Sequence, residues 1–168
     1  MWTPRRSAHG LLGRRRTAGT AGPGATAGHA DRSGDQRYSG SFGVGMRLLP
    51  KPEAEALAGT PLEDGVESET NTTQCLYADP TSGPVAQVEV FVGNGAKKFL
   101  DIDRELAHEF TEVPGIGDEE HAEDNAIFAR VATTWFAVRL VRLNDPAENA
   151  PALISAVRAV ADRMRTTS

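Results

Sequence analysis

The chain has 168 residues and a formal net charge of -5, a length that suits one domain and leaves little room for a second. A modestly acidic chain of this kind argues against a dedicated nucleic-acid-binding protein. Its single cysteine, Cys75, excludes an intrachain disulfide and a cysteine-rich zinc site. No apolar run approaches the ~18 residues that a membrane-spanning helix requires, so we expect no transmembrane segment.

Residues 1–43 form a basic arm rich in Gly, Ala, Thr and Arg. Seven arginines and two acidic residues precede Phe42, whereas 11 basic and 21 acidic residues follow from there onward. The few apolar side chains of the arm show no period, so it cannot bury enough surface to offset the entropy of ordering, and we predict disorder. Residues 44–168 are predicted to form a single α+β domain.

The first elements of this domain are a helix and two strands. Proline in the first turn, alternating Glu and Ala, and a following Gly59 predict a short helix over residues 51–58. Residues 74–78 predict a short strand that contains Cys75. Residues 85–92 alternate between apolar and polar side chains, which predicts a second, half-buried strand.

Two further segments have helical periodicity. Apolar side chains recur at Phe99, Ile102, Leu106 and Phe110 and predict an amphipathic helix over residues 96–110. The last segment also has one apolar stripe, made of Leu153, Ile154, Val157, Val160, Ala161 and Met164. Asn149 is the predicted cap of this final helix, because it puts Pro151 in the first turn, where the missing N–H costs nothing.

A β-hairpin is predicted between the two helices. Alternating apolar segments flank Thr133 and Thr134, and a loop centred on them puts six apolar side chains on one face. The expected opposite pairs are Val131 with Phe136, Ala129 with Val138, and Ile127 with Leu140. We favour a four-residue loop, because threonine disfavours the positive φ of a two-residue turn.

The other face of this hairpin carries the candidate binding surface, which consists of Phe128, Arg130, Trp135 and Arg139. Aromatic and guanidinium groups side by side are common in recognition surfaces. Two alternatives are open. This face packs under the N-terminal region, or the arginine stems cover Trp135.

Catalytic and metal-binding groups are harder to assign. His121 stands in a predicted acidic loop with Glu119, Glu120, Glu123 and Asp124, and His108 and Glu112 lie upstream. Oxygen and imidazole ligands suit divalent cations, but the spacing matches no known ligand frame, so we expect a solvated loop with no metal and no cofactor. Cys75 lies mid-strand without a basic neighbour and is expected to be buried and not a nucleophile.

The order of motifs resembles a known family. A Leu-Leu-Pro start leads into a Glu/Ala helix that ends Ala-Gly, and a lone Cys-x-Tyr strand and a Val-x-Val-x-Val strand follow. The stretch Val113–Glu119 and a Trp-centred strand then precede the last helix. This order resembles a family of actinobacterial secreted proteins and lipoproteins known only as a domain of unknown function, and the resemblance covers about residues 45–164.

The resemblance implies an extracytoplasmic, cell-envelope location, and the family has no established catalytic residues. Its first helix is often preceded by a cysteine that can pair with that of the Cys-x-Tyr strand. Met46 stands at that place here, so Cys75 would be unpaired. The family usually begins with a signal peptide, and none is readable in this chain. We therefore expect a misassigned gene start or a disrupted upstream frame.

Together these features predict an α+β fold with a mainly antiparallel sheet and two to three helices packed on one face. The expected function is a non-enzymatic cell-envelope interaction or ligand-binding module, whose partner is an envelope protein or a small ligand. The alternative is a metal-dependent or hydrolytic protein that uses the acidic loop around His121.

Overall fold

The computed structural model describes residues 43–69, 73–81 and 85–167. The predicted basic arm, residues 1–43, lies outside these ranges except for Gly43. The helices are α1 Val44–Leu48, α2 Lys51–Ala58, α3 Asn94–Glu105 and α4 Pro146–Thr167. The strands are β1 Val66–Glu69, β2 Thr73–Ala78, β3 Ala86–Val92, β4 Glu119–Glu123, β5 Ala126–Val131 and β6 Thr134–Arg142. Within the described ranges, no helix combines the length and apolar character needed to cross a membrane.

The strands form one sheet in the order β1-β2-β3-β6-β5-β4, and every neighbouring pair is antiparallel. Short connections between consecutive strands favour this arrangement, because only antiparallel neighbours can be joined by tight turns. The α3 segment separates β3 from β4, and β6 returns to pair with β3 in the middle of the sheet. The predicted α+β class with an antiparallel sheet is therefore confirmed.

Helices cover both faces of the sheet. Three of them, α1, α2 and α4, pack on one face over a large apolar core that contains Tyr77 and Phe136, which agrees with the predicted two to three helices. The fourth helix, α3, packs on the opposite face over a smaller cluster that contains Phe91, Leu100 and Phe128. Phe91 shares one face of β3 with the polar residues Gln87 and Glu89, and this cluster buries its ring.

The predicted amphipathic helix is present as α3, but it is shorter and turned differently. It ends at Glu105 instead of residue 110, and its buried side chains are Ala96, Leu100 and Asp103. Two of the apolar side chains that predicted it point outward, since Ile102 and Leu106 are 40% and 66% exposed. The Phe99 ring lies over Phe91, with 4.9 Å between ring centroids. The rings of Phe91 and Phe128 already fill this face of the sheet, so the small Ala96 lets the helix approach closely.

The predicted hairpin is formed by β5 and β6, with a register that is two residues tighter. Val131 pairs with Thr134 instead of Phe136. The turn contains only Ala132 and Thr133, and Ala132 takes the positive φ of 52°, so the threonine does not adopt it. Because the shift is by two residues, each side chain of both strands stays on its predicted face of the sheet. The six predicted side chains therefore share the core face, which confirms that part of the prediction.

The acidic stretch around His121 is a strand and not a loop. It forms β4, an edge strand in which His121 pairs with Phe128 of β5. The charged side chains of β4 suit an edge position, because they discourage pairing with a further strand.

The last helix begins earlier than predicted. Pro146 takes its first position, and the Asp145 carboxylate accepts a hydrogen bond of 3.0 Å from the N–H of Ala147. Asp145 thus caps the helix, and proline suits the position that follows a cap. Asn149 is not the cap but a buried residue within the helix, and Pro151 lies in the helix interior.

Candidate functional site

The structure places all four predicted binding residues on the sheet face that α3 partly covers, as their alternation requires. Phe128 is 2% exposed and packs beneath α3, so it is a core residue and does not lie at the surface. Arg130, Trp135 and Arg139 reach solvent. Arg139 and Trp135 are separated by roughly 13 Å along β6, given the rise of an extended strand, so these residues belong to two different sites.

Trp135 belongs to a cluster of rings. The His121 ring stacks on it with 6.3 Å between ring centroids and 15° between planes, and Phe110 meets His121 edge-on at 6.1 Å. The ammonium group of Lys97 lies 5.9 Å from the centre of the Trp135 ring, a cation–π contact of about 0.5–1 kcal/mol at a partly exposed site. Trp135 therefore links α3 to the strands beneath it.

His121 is held by charged neighbours as well as by rings. Its Nε2 lies 3.0 Å from Glu119 Oε1 and 2.7 Å from Arg104 Nη2. A protonated Nε2 donates to Glu119, whereas an unprotonated one accepts from Arg104. The hydrogen bond from His121, with a smaller contribution from Arg130, lowers the pKa of the Glu119 carboxyl below its ordinary value. His121 thus serves to join β4 to α3.

A cleft of about 460 Å³ lies near the C-terminal end of α3, and we call it the acidic cleft. It is lined by His108, Glu109, Glu123, Asp124, Asn125 and Arg139. A smaller cavity of about 80 Å³ shares three of these residues, and the rings of Phe91, Phe99 and Phe128 contribute to its apolar wall. Charged groups around an aromatic wall are the mixed chemistry of small-ligand sites.

A left-handed turn places His108 in the wall of the acidic cleft. Ala107 has a φ of 60°, and its N–H donates to the carbonyl of Arg104 at 3.1 Å. The N–H of His108 donates to the carbonyl of Asp103 at 3.0 Å. These paired bonds define a Schellman helix end, which usually has glycine at the left-handed position. Since no glycine marks this end, sequence reasoning extended the helix to residue 110.

Two carboxylates converge on His108. Its Nδ1 lies 2.8 Å from Glu123 Oε2 and 3.8 Å from Asp103 Oδ1. The side chains of Asp103 and Glu123 are only 13% and 18% exposed. The hydrogen bond to Glu123 and the charges of both acids raise the pKa of His108 above its ordinary value. Sequence reasoning placed His108 and Glu123 in one candidate set around His121 but did not include Asp103, because Asp103 and His108 were assigned to one continuous helix.

Arg139 is directed at a buried carboxylate. It pairs across strands with Glu89 of β3, and its Nη1 lies 3.6 Å from Glu89 Oε2. Glu89 is 8% exposed, and its Oε1 accepts a hydrogen bond of 3.0 Å from Gln87. Its Oε2 makes no hydrogen bond with any described residue. Arg139 therefore forms an ion pair with Glu89 without donating a hydrogen bond to its Oε2.

Cys75 lies in the core, as the sequence predicts. It is a free cysteine with no exposed surface, and burial raises the pKa of its thiol to about 11. Its strand neighbour Tyr77 is also buried and donates a hydrogen bond of 2.7 Å to the carbonyl of Leu49. Because the thiolate is the nucleophilic form, a neutral and inaccessible thiol does not serve as a catalytic group.

A larger groove of about 710 Å³ runs from the end of the β5–β6 hairpin to the last turns of α4. The guanidinium of Arg163 in this groove donates to the carbonyl of Leu48 at 2.8 Å and to the carboxylate of Glu53. Its charge therefore joins α4 to the first helices. The acidic cleft keeps several charged groups that are not used in this way, which makes it the stronger candidate for a ligand site.

Comparison with protein-family models, with curated proteins and with solved structures found no match to this chain. The resemblance to the actinobacterial family therefore depends on the order of the sequence motifs alone. The geometry and charge of the acidic cleft are the main guides to function.

Proposed function

We propose that this domain is a non-enzymatic ligand-binding module of the cell envelope and that its ligand occupies the acidic cleft. The observation that supports this most is the cleft itself, which encloses about 460 Å³. Small-ligand sites commonly have volumes of about 300–1,000 Å³. The walls come from the turn after α3, the end of β4 with the β4–β5 turn, and β6.

The charge of the lining favours a cationic ligand. Glu109 and Asp124 supply exposed carboxylates, Glu123 is paired with His108, and Arg139 lies beside Glu89. A cleft lined mainly by one sign of charge concentrates ions of the opposite sign. The apolar wall of the neighbouring cavity would contact the uncharged part of such a ligand.

Two side chains that have catalytic chemistry are used for structure, which supports a non-enzymatic role. Cys75 is buried as a neutral thiol. The Nε2 atom of His121 lies between Glu119 and Arg104. The location in the cell envelope is supported by the family resemblance, and fractionation of cells with an antiserum against the protein tests it.

Ligand capture from a small-molecule extract of the cell envelope tests the binding role. The full chain is incubated with the extract and examined by native mass spectrometry. We expect a bound small molecule that is lost in the double variant Glu109→Gln/Asp124→Asn. The matched control is Glu63→Gln/Glu105→Gln, which removes the same charge from exposed positions outside the lining. A full chain that captures nothing, or equal capture by both variants, would contradict the proposal.

The alternative, a metal-dependent or hydrolytic protein, is favoured by one observation. His108 and Glu123 line the acidic cleft and meet Asp103 in the wall of the smaller cavity beside it, whereas His121 is packed between rings. An assay with chromogenic esters and phosphoesters distinguishes the two functions. Turnover that disappears in His108→Asn would support an enzyme, and its absence agrees with the binding module.

A further inference from the structure

We infer that Asp103, His108 and Glu123 form a binding site for one divalent transition-metal ion, with zinc as the best-matched ion. Their ligand atoms all lie within 4.8 Å of one another. Asp103 comes from the last turn of α3, His108 from the left-handed turn after it, and Glu123 from the end of β4. Only tertiary structure brings these donors together.

The spacing of the donor atoms suits a tetrahedral ion. Zinc binds imidazole nitrogen and carboxylate oxygen at about 2.0–2.2 Å, so neighbouring donors lie about 3.3–3.6 Å apart. His108 Nδ1 lies 2.8 Å from Glu123 Oε2 and 3.8 Å from Asp103 Oδ1, on either side of this range. An ion would replace the hydrogen bond between His108 and Glu123 after shifts of roughly 0.5–0.8 Å.

The local charges also favour a divalent cation, because a protonated His108 supplies only one positive charge to two carboxylates. Asp103 and Glu123 are poorly exposed, at 13% and 18% of their side-chain surface, and two buried carboxylates repel each other unless a positive charge balances them. Arg139 does not supply this charge, because its guanidinium is directed at Glu89. One divalent ion balances both carboxylates and leaves His108 as a neutral ligand.

The donor set selects among ions. Calcium and magnesium prefer oxygen ligands, whereas an imidazole with two carboxylates suits zinc and similar transition ions. Three protein donors would leave a fourth position for water or a ligand atom, and two of these donors, His108 and Glu123, line the acidic cleft. The inference deepens the proposed function, on which it rests for the cleft as a ligand site, because the ion would also hold a donor atom of the ligand.

Calorimetry with the full chain tests the site. The protein is treated with a chelator, dialysed and titrated with zinc chloride, and we expect one ion per chain. His108→Asn and Glu123→Gln should each weaken zinc binding by at least about tenfold, the loss that even outer-shell changes produce. His121→Asn removes an imidazole outside the site and should bind as the unmodified chain does. His9→Asn/His29→Asn removes the remaining histidines and should also bind unchanged.

Either of two results overturns the inference: no zinc uptake by the full chain, or equal affinity in His108→Asn. Competition gives a second reading, since an excess of calcium should not displace zinc, and displacement would contradict a nitrogen ligand. Circular dichroism checks that each variant folds. If Glu123→Gln does not fold, His108→Asn still tests the site, because the His108 side chain is 46% exposed.

The same experiment separates the metal site from the binding module. Ligand capture is repeated with and without chelator. If the ligand is still captured without metal and calorimetry shows no zinc uptake, the metal site is refuted and the proposed ligand-binding function is retained. Zinc uptake without any captured ligand supports the ion and refutes the module as proposed.

Discussion

Replacing Ala107 by glycine should stabilise the protein, because Ala107 has a left-handed backbone with a φ of 60°. For an L-residue with a Cβ, this conformation costs roughly 1–2 kcal/mol of folded-state free energy, a cost that glycine does not have. Glycine also gives the unfolded chain more freedom, which costs about 0.4–1 kcal/mol. The net effect of Ala107→Gly is a gain of about 0.5–1 kcal/mol in the free energy of unfolding.

Urea unfolding followed by circular dichroism measures this change, and the midpoint should rise while the slope of the free energy against urea stays constant. Ala56→Gly is the matched control, because Ala56 is exposed inside α2. Glycine in a helix interior costs about 0.5–1 kcal/mol relative to alanine, so the control should be destabilised. The same substitution should therefore have opposite signs at the two positions.

Destabilisation of Ala107→Gly to the same extent as Ala56→Gly would refute the left-handed turn. That result would also weaken the metal-site inference, since this turn is what places His108 beside Asp103. A stabilised Ala107→Gly variant should keep the affinity for zinc within about twofold, because the substitution removes strain without moving the ligand donors.

Four other outcomes are expected. Trp135→Ala should lower the free energy of unfolding by about 2–3 kcal/mol, because the Trp135 ring packs on His121. This loss is smaller than that for truncating a fully buried aromatic residue. A loss below about 0.5 kcal/mol would instead favour the predicted role of Trp135 in contacting a ligand. Cys75 should react with a disulfide reagent at pH 8 at least about 100-fold more slowly in the folded protein than in urea, because the thiol is buried and mostly protonated. The pKa of the Cys75 thiol is about 11 in the folded protein, against 9.0 for a free thiol. Between these pH values the folded protein retains a proton that the unfolded chain releases, so the urea concentration at the unfolding midpoint should decrease as the pH rises from 9 to 11. Cys75→Ala should make this decrease smaller. Asn149→Ala should cost about 1–3 kcal/mol in urea unfolding, because Asn144 and Arg142 lose a buried hydrogen-bond partner; an unchanged midpoint would contradict this role.

The sequence alone determined the elements that have strong periodicity. The helix over residues 51–58 matches α2 at both ends, since proline and Gly59 mark its limits and the latter has a φ of 68°. The alternation of β3, β5 and β6 identified the core face, because a period of two fixes which side chains share a face regardless of the exact pairing. For that reason the two-residue error in the hairpin register left the core assignment unchanged.

Short elements escaped prediction because their formation depends on partners distant in sequence. The helix α1 has only five residues, and an isolated helix of that length is unstable in water. It forms where Glu67 of β1 accepts a hydrogen bond of 2.8 Å from the N–H of Met46. The close approach to β2 also depends on Gly45, because a Cβ there would lie 2.6 Å from the Cβ of Cys75.

The candidate site was decided by tertiary structure. Local pattern grouped His121 with its acidic neighbours, although the alternation of β4 directs that ring onto Trp135. The cluster of Asp103, His108 and Glu123 requires a left-handed alanine and an edge strand packed near the end of α3. Neither leaves a periodic signal, because side-chain convergence depends on how elements pack and periodicity reports only which face of one element is apolar.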